Sequence, residues 1–267
     1  MKIHPTAQVD PKAVLGDDVE IGPYCIVPAD VEIGSGTVLI SHVVVFPGVK
    51  IGRNNTFYPF SSIGGEPQDL KFEGEDTSVI IGDGNTIREY VTISRGTRNG
   101  QGRTTVGNDT LLMAYCHIAH DCIVEDKVIA TNGLNVGGHV LLERASRFAG
   151  LVGINPFVTV GTMAFVGGLS RIVQDVPPYM IVEGNPAEVR NVNVIGLARN
   201  GVPPERVSAI EDAFHLIWRS KPRNVFRALE KLESTPGGPT PEVAHLIQFL
   251  RNQIAGKNGR AREVLRR

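Results

Sequence analysis

Two histidines and an aspartate stand close together in residues 113–122, the part of the chain richest in side chains that could do chemistry. His117 and His120 are three positions apart, and Asp121 follows directly. An imidazole can act as a general base near neutral pH, and a neighbouring carboxylate can fix its tautomer. This group therefore predicts proton-transfer chemistry, provided that the fold brings a reacting group to it.

A six-residue period predicts the scaffold that carries these side chains. Aliphatic or aromatic residues recur at every sixth position over 3–63, again over 81–93, and again over 106–172. Neither the 3.6-residue period of a helix nor the 2-residue period of a strand produces this pattern. A hexad suits a short strand followed by a turn, and three such units close a triangular coil of about 18 residues. The period therefore predicts a parallel β-helix.

The coil length predicts which residues stack on each other. Gly138 lies 18 positions after His120, and His139 lies 18 positions after Asp121. A histidine that faces a backbone N–H with no side chain between them resembles a general base opposite an oxyanion site. Cys122 takes the small inward position of its hexad, so we interpret it as core packing rather than as a nucleophile.

Three histidines on adjacent coils leave a metal site as an alternative interpretation. Imidazole is a common zinc ligand, and hexapeptide-repeat carbonic anhydrases bind zinc with three histidines shared between subunits. Here, however, His117 and His120 are separated by a corner of the predicted coil, with the inward Ile118 between them. The prediction is therefore that the chain binds no metal, with a trimeric zinc hydratase as the alternative.

Two interruptions and a change of period predict the domain organisation. Residues 64–78 and 94–105 are polar and glycine-rich, which indicates loops extruded from the prism, where binding residues often lie. From Pro203 onward the apolar residues follow helical spacing, with further helices predicted over 223–232 and 242–254. We therefore expect a β-helix over residues 1–187 and a helical domain over residues 188–267.

Composition and charge exclude several classes of protein. The 267 residues contain 27 Lys plus Arg and 28 Asp plus Glu, a formal net charge of -1 that gives no sign of nucleic-acid binding. Three cysteines make no disulfide framework, and the N-terminus lacks the apolar run of a signal peptide, so we expect a cytoplasmic protein. The uncharged run 148–170 keeps the phase of the repeat, so no membrane span is predicted.

Several short motifs accompany the hexads. They are Gln68-Asp69-Leu70-Lys71, Ile87-Arg88-Glu89, Arg95-Gly96-Thr97, residues 117–122, Gly138-His139, residues 174–179 and Gly184-Asn185. Together, and over essentially the whole chain, they resemble the UDP-N-acetylglucosamine 3-O-acyltransferase family of lipid A biosynthesis. The resemblance implies an all-β left-handed parallel β-helix of hexapeptide repeats with a C-terminal α-helical domain. It also implies transfer of a 3-hydroxyacyl chain from acyl carrier protein to the 3-hydroxyl of UDP-N-acetylglucosamine, without a cofactor.

The resemblance also implies roles for individual residues. His120 would be the general base, Asp121 would support it, and the backbone N–H of Gly138 would stabilise the oxyanion. Residues that would contact the sugar nucleotide or orient the base are Gln68, Asp69, Lys71, His117, His139, Asn193 and Arg199. Gly168 would help to set the acyl length, and its bulky neighbour Phe165 could shorten the same channel.

The family is homotrimeric, with active sites in the clefts between neighbouring prisms, so a homotrimer is expected here. The acyl carrier protein is acidic, which makes basic residues near the cleft and in the C-terminal tail candidate docking contacts. The tail contains Lys257, Arg260, Arg262, Arg266 and Arg267.

Several positions depart from the family pattern. Asn155 and Pro156 replace His-Gln, Pro186 replaces His, Ile195 replaces Glu and Asn200 replaces Arg. These departures leave three alternatives open. The acceptor could be a 3-amino or other UDP-hexosamine, the chain could be the zinc hydratase, or it could be a non-catalytic hexapeptide scaffold.

Overall fold

Short parallel strands wind into a three-sided prism in the computed structural model, which describes residues 1–221 and 224–266. On each face, a strand pairs with the strand one coil later. For example, Ile3 pairs with Ile21, 18 positions on. Successive side chains of a strand point to opposite sides of the sheet, so each hexad buries its aliphatic residue and exposes the residue before it. The predicted left-handed parallel β-helix with a C-terminal helical region is confirmed.

Within the described residues, the three faces contain 11, 9 and 8 strands. The first face consists of Lys2–Ile3, Glu20–Ile21, Val38–Leu39, Thr56–Phe57, Thr86–Ile87, Leu111–Leu112, Ile129–Ala130, Arg147–Phe148, Phe165–Val166, Met180–Gly184 and the antiparallel Ala187–Val192. The second face consists of Gln8–Val9, Ile26–Val27, Val44–Val45, Ser62–Gly65, Thr92–Ser94, His117–Ile118, Asn135–Val136, Gly153–Ile154 and Arg171–Ile172. The third face consists of Val14–Leu15, Val31–Ile33, Val49–Ile51, Ser78–Ile81, Arg103–Val106, Ile123–Val124, Leu141–Leu142 and Thr159–Val160.

The inside of the prism is a continuous apolar column. Leu39, Phe57 and Ile87 stack beneath the first face and are fully buried. Burial of a side chain of this size stabilises the fold by about 1.5–3 kcal/mol. Cys122 is also fully buried in this column, and burial raises the pKa of its thiol to about 12. The thiol is therefore a core group, as its place in the hexad predicted.

The corners of the prism place side chains in columns. The aromatic edge, between the first and second faces, carries Tyr24, His42, Phe60, Tyr90 and Tyr115. The histidine edge, between the second and third faces, carries Asp121, His139 and Phe157. All eight residues have φ between 52° and 65°. This left-handed conformation costs a non-glycine residue roughly 1–2 kcal/mol, so contacts within each column must offset it.

Both interruptions of the repeat leave the prism at the histidine edge. Ile63 pairs with Ile93, 30 positions on, and Ile93 pairs with Ile118, 25 positions on, where a regular coil has 18. The first loop runs between the strands Ser62–Gly65 and Ser78–Ile81, and the second between Thr92–Ser94 and Arg103–Val106. Strand residues therefore extend into both ends of each predicted loop. The two loops project from the coils that directly precede His120.

A helical region follows the last coils. Its helices are α1 (Val194–Arg199), α2 (Pro204–Phe214), α3 (Val225–Glu233) and α4 (Pro241–Ala255), with a π-helical turn at His215–Arg219 and a 3₁₀ turn at Ala261–Leu265. The strand Ala187–Val192 crosses the predicted domain boundary after residue 187. The predicted helix start at Arg223 lies outside the described residues. In the described part of the chain, no helix has the length and apolar character needed to cross a bilayer.

A second apolar core joins these helices to the prism. Ile210, Phe214 and Leu246 pack together with Tyr179 and Met180, which come from the end of the β-helix. Pro204 stands at the first position of α2, where its missing N–H would have no partner within the helix. The helices therefore cover the last coil, whose edge would otherwise be open to pairing.

Candidate active site

His120 and Asp121 form a hydrogen-bonded pair at the histidine edge. His120 lies in the turn after the strand His117–Ile118, and its side chain is 13% exposed. Its Nδ1 lies 2.9 Å from Oδ2 of Asp121. An ionised carboxylate only accepts hydrogen bonds, so we assign the ring proton to Nδ1. The lone pair on Nε2 is then available to accept a proton from a substrate.

The second loop surrounds the carboxylate of Asp121, which is fully buried. The carboxylate accepts hydrogen bonds from the hydroxyl of Thr97 at 2.7 Å and from the backbone N–H groups of Thr97 and Gln101. Gly100 packs so closely on it that no Cβ would fit. Burial alone would raise the pKa of Asp121, but the hydrogen bonds from His120 and Thr97 outweigh it and lower that pKa. The pair therefore has a stable negative charge behind the imidazole.

Gly138 faces the free nitrogen of His120, as the coil length predicts. A Cβ at position 138 would lie 2.6 Å from Cε1 and Nε2 of His120, which is closer than real Cβ contacts. Among the described residues none accepts a hydrogen bond from the N–H of Gly138. A basic nitrogen and an unused backbone donor therefore lie side by side, as an acyl-transfer site requires.

His139 supports the pair from the next coil. Its N–H donates to the carbonyl of His120 at 3.0 Å, and its ring meets the His120 ring edge-on with centroids 4.9 Å apart. On its other side the His139 ring stacks on Phe157, with centroids 4.4 Å apart. Burial lowers the pKa of His139, so this ring is neutral near pH 7.

A cavity of about 490 Å³ opens beside His120. This volume is in the range of small-molecule binding sites. The cavity is lined by Gln68, Asp69, Leu70, Lys71, Thr97, Asn99, His120, Gly138, His139, Pro156, Phe157, Leu265 and Arg266. The structure thus brings together three of the predicted substrate contacts from the first loop with the predicted base.

Other predicted site residues lie away from this cavity. His117 points outward on the second face, where its Nδ1 lies 2.7 Å from the Thr92 hydroxyl. Burial, and then the neighbouring His120, lower the pKa of His117. Asn193 caps α1 by accepting from the Gly196 N–H, and its amide donates to the Met163 carbonyl at 2.8 Å.

Arg199 is exposed at the C-terminal end of α1 and does not line the cavity. Phe165 is half-buried on the first face, and Gly168 is exposed in the turn that follows it. These two lie on one coil, close to the aromatic edge, and not beside His120. Their roles therefore stay predictions, and within one protomer they are separate from the cavity.

Some site residues were not predicted from the sequence. Thr97 belongs to the motif Arg95-Gly96-Thr97, but neither its hydroxyl nor Asn99 was assigned a role. Leu265 and Arg266 reach the cavity from the other end of the chain. The glycine-rich second loop was a usable signal for Thr97, whereas no local pattern connects the tail to His120.

A metal ion is the alternative use of these side chains. Ligand atoms of His120, Asp121 and His139 all lie within 4.8 Å of one another, and His117 is not part of this group. The oxygens of Asp121 already accept from Thr97, Gln101 and His120. Binding a cation would break these hydrogen bonds, so the donor set fits a hydrogen-bonded pair better than a metal site.

Of the departures from the family pattern, only Pro156 lines the cavity. Pro186 lies in the turn between the strands Met180–Gly184 and Ala187–Val192. Ile195 is 67% exposed on α1, and Asn200 follows that helix. None of these residues makes a hydrogen bond to the side chain of His120 or Asp121, and Pro156 forms part of one wall of the cavity.

Known proteins are similar to this chain over most of its length. Residues 175–259 match a family model described as UDP N-acetylglucosamine O-acyltransferase, domain 2, and residues 12–47 match the bacterial transferase hexapeptide model. A curated relative from Gloeothece citriformis, named acyl-[acyl-carrier-protein]–UDP-N-acetylglucosamine O-acyltransferase, is 45% identical over 81% of this chain and 78% of its own length.

Solved structures give the same result. A structure of LpxA from Acinetobacter baumannii is 40% identical, covers 93% of this chain and 96% of its own, and has a TM-score of 0.88. LpxA of Bacteroides fragilis, described as a UDP-N-acetylglucosamine acyltransferase, is 36% identical, covers 94% and 97%, and has a TM-score of 0.90.

Proposed function

The chain belongs to the acyl-[acyl-carrier-protein]–UDP-N-acetylglucosamine O-acyltransferase family, and on this premise we propose the reaction that it catalyses and the residues that carry it. It transfers a 3-hydroxyacyl chain from the thioester of acyl carrier protein to the 3-hydroxyl of UDP-N-acetylglucosamine, the first step of lipid A biosynthesis. The observation that carries this proposal is the His120–Asp121 pair, whose imidazole lies directly against Gly138 in the wall of one cavity.

In the proposed reaction, His120 acts first as a base. A sugar hydroxyl has a pKa far above neutral, so Nε2 of His120 removes its proton while the oxygen attacks the thioester carbonyl carbon. The negative charge that develops on the carbonyl oxygen is stabilised by the N–H of Gly138, a contribution of about 2.7–4 kcal/mol for one such donor. The buried carboxylate of Asp121 stabilises the imidazolium that forms.

The second half of the reaction returns the proton. The tetrahedral intermediate collapses, its carbon–sulfur bond breaks, and the thiolate of the carrier protein leaves. The imidazolium of His120 gives its proton to that thiolate, so the enzyme ends in its starting state. The cycle therefore needs a proton acceptor and a hydrogen-bond donor, and no atom changes its oxidation state.

The cavity supports a polar acceptor. Asp69 and Lys71 lie on the first loop, and Gln68 and His139 add further polar contacts. We propose that these residues bind the sugar nucleotide. Because Pro156 alters one wall, a 3-amino analogue of the sugar stays in the proposal as a second acceptor, with the same base and the same oxyanion donor.

We propose a cytoplasmic homotrimer, with the remaining predicted contacts supplied across the subunit interfaces. The aromatic edge exposes large apolar side chains, including Tyr24 at 58% and Tyr115 at 64%, and Leu151 and Leu169 extend this column at 64% and 74%. A contiguous exposed apolar strip of this kind marks an interface. In such an assembly, His117, Arg199, Phe165 and Gly168 would line the cleft with a neighbour, and basic residues of the tail would dock the acidic carrier protein.

A mass-spectrometric transfer assay tests the reaction. Wild type and His120→Ala are offered 3-hydroxyacyl carrier proteins of several chain lengths, with UDP-N-acetylglucosamine or its 3-amino analogue. We expect product with wild type and a loss of roughly 10²–10⁴-fold in the variant, the usual contribution of a general base. His4→Ala, which changes an exposed histidine of the first coil, is the matched control and should keep full activity.

Two outcomes would contradict the proposal. Intact turnover in His120→Ala, with an unchanged melting temperature, would remove His120 as the base. No product from wild type with any donor and acceptor pair would remove the reaction itself and leave the scaffold interpretation. The mass of the native assembly, measured on the same samples, tests the trimer independently of turnover.

A further inference from the structure

The C-terminal segment, residues 256–266, returns from the helical region to the histidine edge. Nε of Arg262 donates a hydrogen bond to the backbone carbonyl of His139 at 3.1 Å. Arg266 lines the cavity, and its guanidinium lies 5.6 Å from the ring centroid of Phe157. Phe157 stacks on the ring of His139. The segment therefore contacts His139 directly at its carbonyl, through Arg262, and indirectly at its ring, through Arg266 and Phe157.

The last coil of the prism holds this segment in place. The buried carboxylate of Asp175 accepts from the N–H of Ala261 and from the N–H of Thr159, both at 2.7 Å. The N–H of Asp175 donates to the carbonyl of Gly259 at 2.8 Å. Arg260 donates to the carbonyl of Val173 at 3.0 Å. These bonds fix the position from which Arg262 approaches His139.

Arg262 is held by a main-chain carbonyl and not by a close ion pair. Its side chain is partly buried, and burial lowers its pKa. Among the carboxylates of the described residues, none lies within ion-pair distance of it, and its hydrogen bond goes to a main-chain carbonyl instead. The negative charge of Asp175 opposes this lowering of the pKa from beyond ion-pair distance, so the hydrogen bond to His139 is the direct polar contact described for this guanidinium.

The contact is transmitted to the reacting groups through one turn of the chain. Gly138 and His139 share this turn, and the N–H of His139 donates to the carbonyl of His120. Gly138 lies directly against the His120 ring. The hydrogen bond from Arg262 to the His139 carbonyl therefore restrains the turn that carries the proposed oxyanion donor. The same turn contacts the proposed base.

We propose that Arg262 is a positioning residue of the active site. It holds the turn of Gly138 and His139 at its distance from His120, and it does so from a segment that the helical region supplies. This inference rests on the proposed function and deepens it, because it makes the C-terminal segment part of the catalytic unit. It also separates Arg262 from the other tail cations, which we assigned to carrier-protein docking.

Steady-state kinetics of three variants tests the inference. In Arg262→Gln we expect kcat to fall roughly 10- to 100-fold with KM for the acyl carrier protein unchanged, since a displacement of about 1 Å can cost that much. Arg262→Lys keeps the charge but not the Nε–H, so it should also lose kcat. Arg251→Ala, at an exposed arginine of α4 that pairs with Glu233, is the control and should match wild type.

A docking role would give the opposite pattern. It predicts a raised KM for the carrier protein, unchanged kcat, full recovery in Arg262→Lys and a strong dependence on salt. That result would overturn the inference while leaving the proposed reaction intact. Unchanged kcat and KM in Arg262→Gln would overturn it as well.

A second measurement does not depend on turnover. The imidazole C–H signals of His120 and His139 are followed by NMR against pH in wild type and Arg262→Gln. Because the nearby cation of Arg262 contributes to lowering the pKa of His139, we expect that pKa to rise in the variant. An unshifted His139 titration would contradict the inference, even if the transfer assay failed for another reason.

Discussion

The aromatic edge and the histidine edge are built from the same backbone turn but have different environments. On the aromatic edge, Phe60, Tyr90 and Tyr115 form a ladder with ring centroids 4.9–5.1 Å apart, and each of the three is at least 44% exposed. On the histidine edge, the equivalent turn residue Asp121 is fully buried. The residues of both columns have the left-handed backbone conformation, which is unfavourable for non-glycine residues.

The difference arises from what covers each edge. The two loops and the C-terminal segment all lie against the histidine edge, where Thr97 and Gln101 donate to Asp121 and Arg262 contacts His139. A carboxylate can be buried there because it receives these donors. In residues 1–221 and 224–266, neither loop nor the C-terminal segment lies on the aromatic edge, and its tyrosine and phenylalanine rings are exposed. One turn geometry thus carries the proposed catalytic pair on one edge and the proposed subunit contact on the other.

Removing the buried negative charge of Asp121 should have the greatest consequence. In Asp121→Asn an amide N–H₂ would meet N–H donors, and the tautomer of His120 would no longer be fixed. We expect transfer to fall by about 10²–10⁴-fold and the free energy of unfolding to fall by about 1–3 kcal/mol. Transfer rates and urea denaturation measure the two effects.

The matched control is Asp109→Asn, an exposed aspartate with φ of 53° on the third edge of the prism. It should retain both activity and stability. Equal losses in the two variants would mean that the turn conformation matters and the burial of Asp121 does not.

The next effect comes from filling the space between His120 and Gly138. In Gly138→Ala the new methyl group would meet the imidazole, so either the base or the backbone donor must move. We expect a loss of about 10²-fold in kcat with little change in melting temperature. Gly153→Ala, whose Cβ would meet nothing within 4 Å, is the control. Full activity in Gly138→Ala would show that the close approach is not needed.

A smaller effect is expected on the aromatic edge. Tyr90→Ala removes the middle ring between Phe60 and Tyr115 and so breaks two stacking contacts, each worth about 0.5–1.5 kcal/mol. We expect lower stability and a weaker trimer by light scattering, with turnover per assembled trimer retained. Lys127→Ala, with φ of 61° and no ring contact, should change neither. Identical behaviour of the two variants would argue against the ladder as an interface.

The smallest effect concerns the anchor of the C-terminal segment. Burial raises the pKa of Asp175 from 3.8 to about 6, although the N–H groups of Ala261 and Thr159, and then the charges of Arg260 and Arg262, oppose the shift. A raised pKa means that the folded state binds the proton more tightly than the unfolded state. The stability due to Asp175 is therefore complete below pH 3.8 and is lost as the pH rises through 6.

The predicted loss of stability with rising pH can be measured by denaturant unfolding of wild type and Asp175→Asn between pH 5 and 7.5. Relative to the variant, wild type should lose on the order of 1–2 kcal/mol of stability over that interval. A stability advantage of wild type over Asp175→Asn that stayed constant or grew with pH would contradict a raised pKa for the buried Asp175 carboxyl.

The residues placed correctly from the sequence are those inside the regular coils. Stacking of Gly138 over His120 and the burial of Cys122 follow from the 18-residue coil alone. Contacts made by the loops could not be predicted from the coil length, because residues 94–105 break the six-residue period. The donors to Asp121 from Thr97 and Gln101 were therefore not predicted, although the loop itself was.

Residue types and their spacing were enough to predict the hexads, the order of the coils and the central histidine and aspartate. Inward aliphatic residues at a spacing of six leave the chain few ways to bury them, so local pattern and global fold agree. Which edge of the prism is covered became clear only from the packing of distant segments. Arg262 meets His139 because the helical region folds back over the last coil, and a contact between such distant parts of the chain leaves no periodic trace in the sequence.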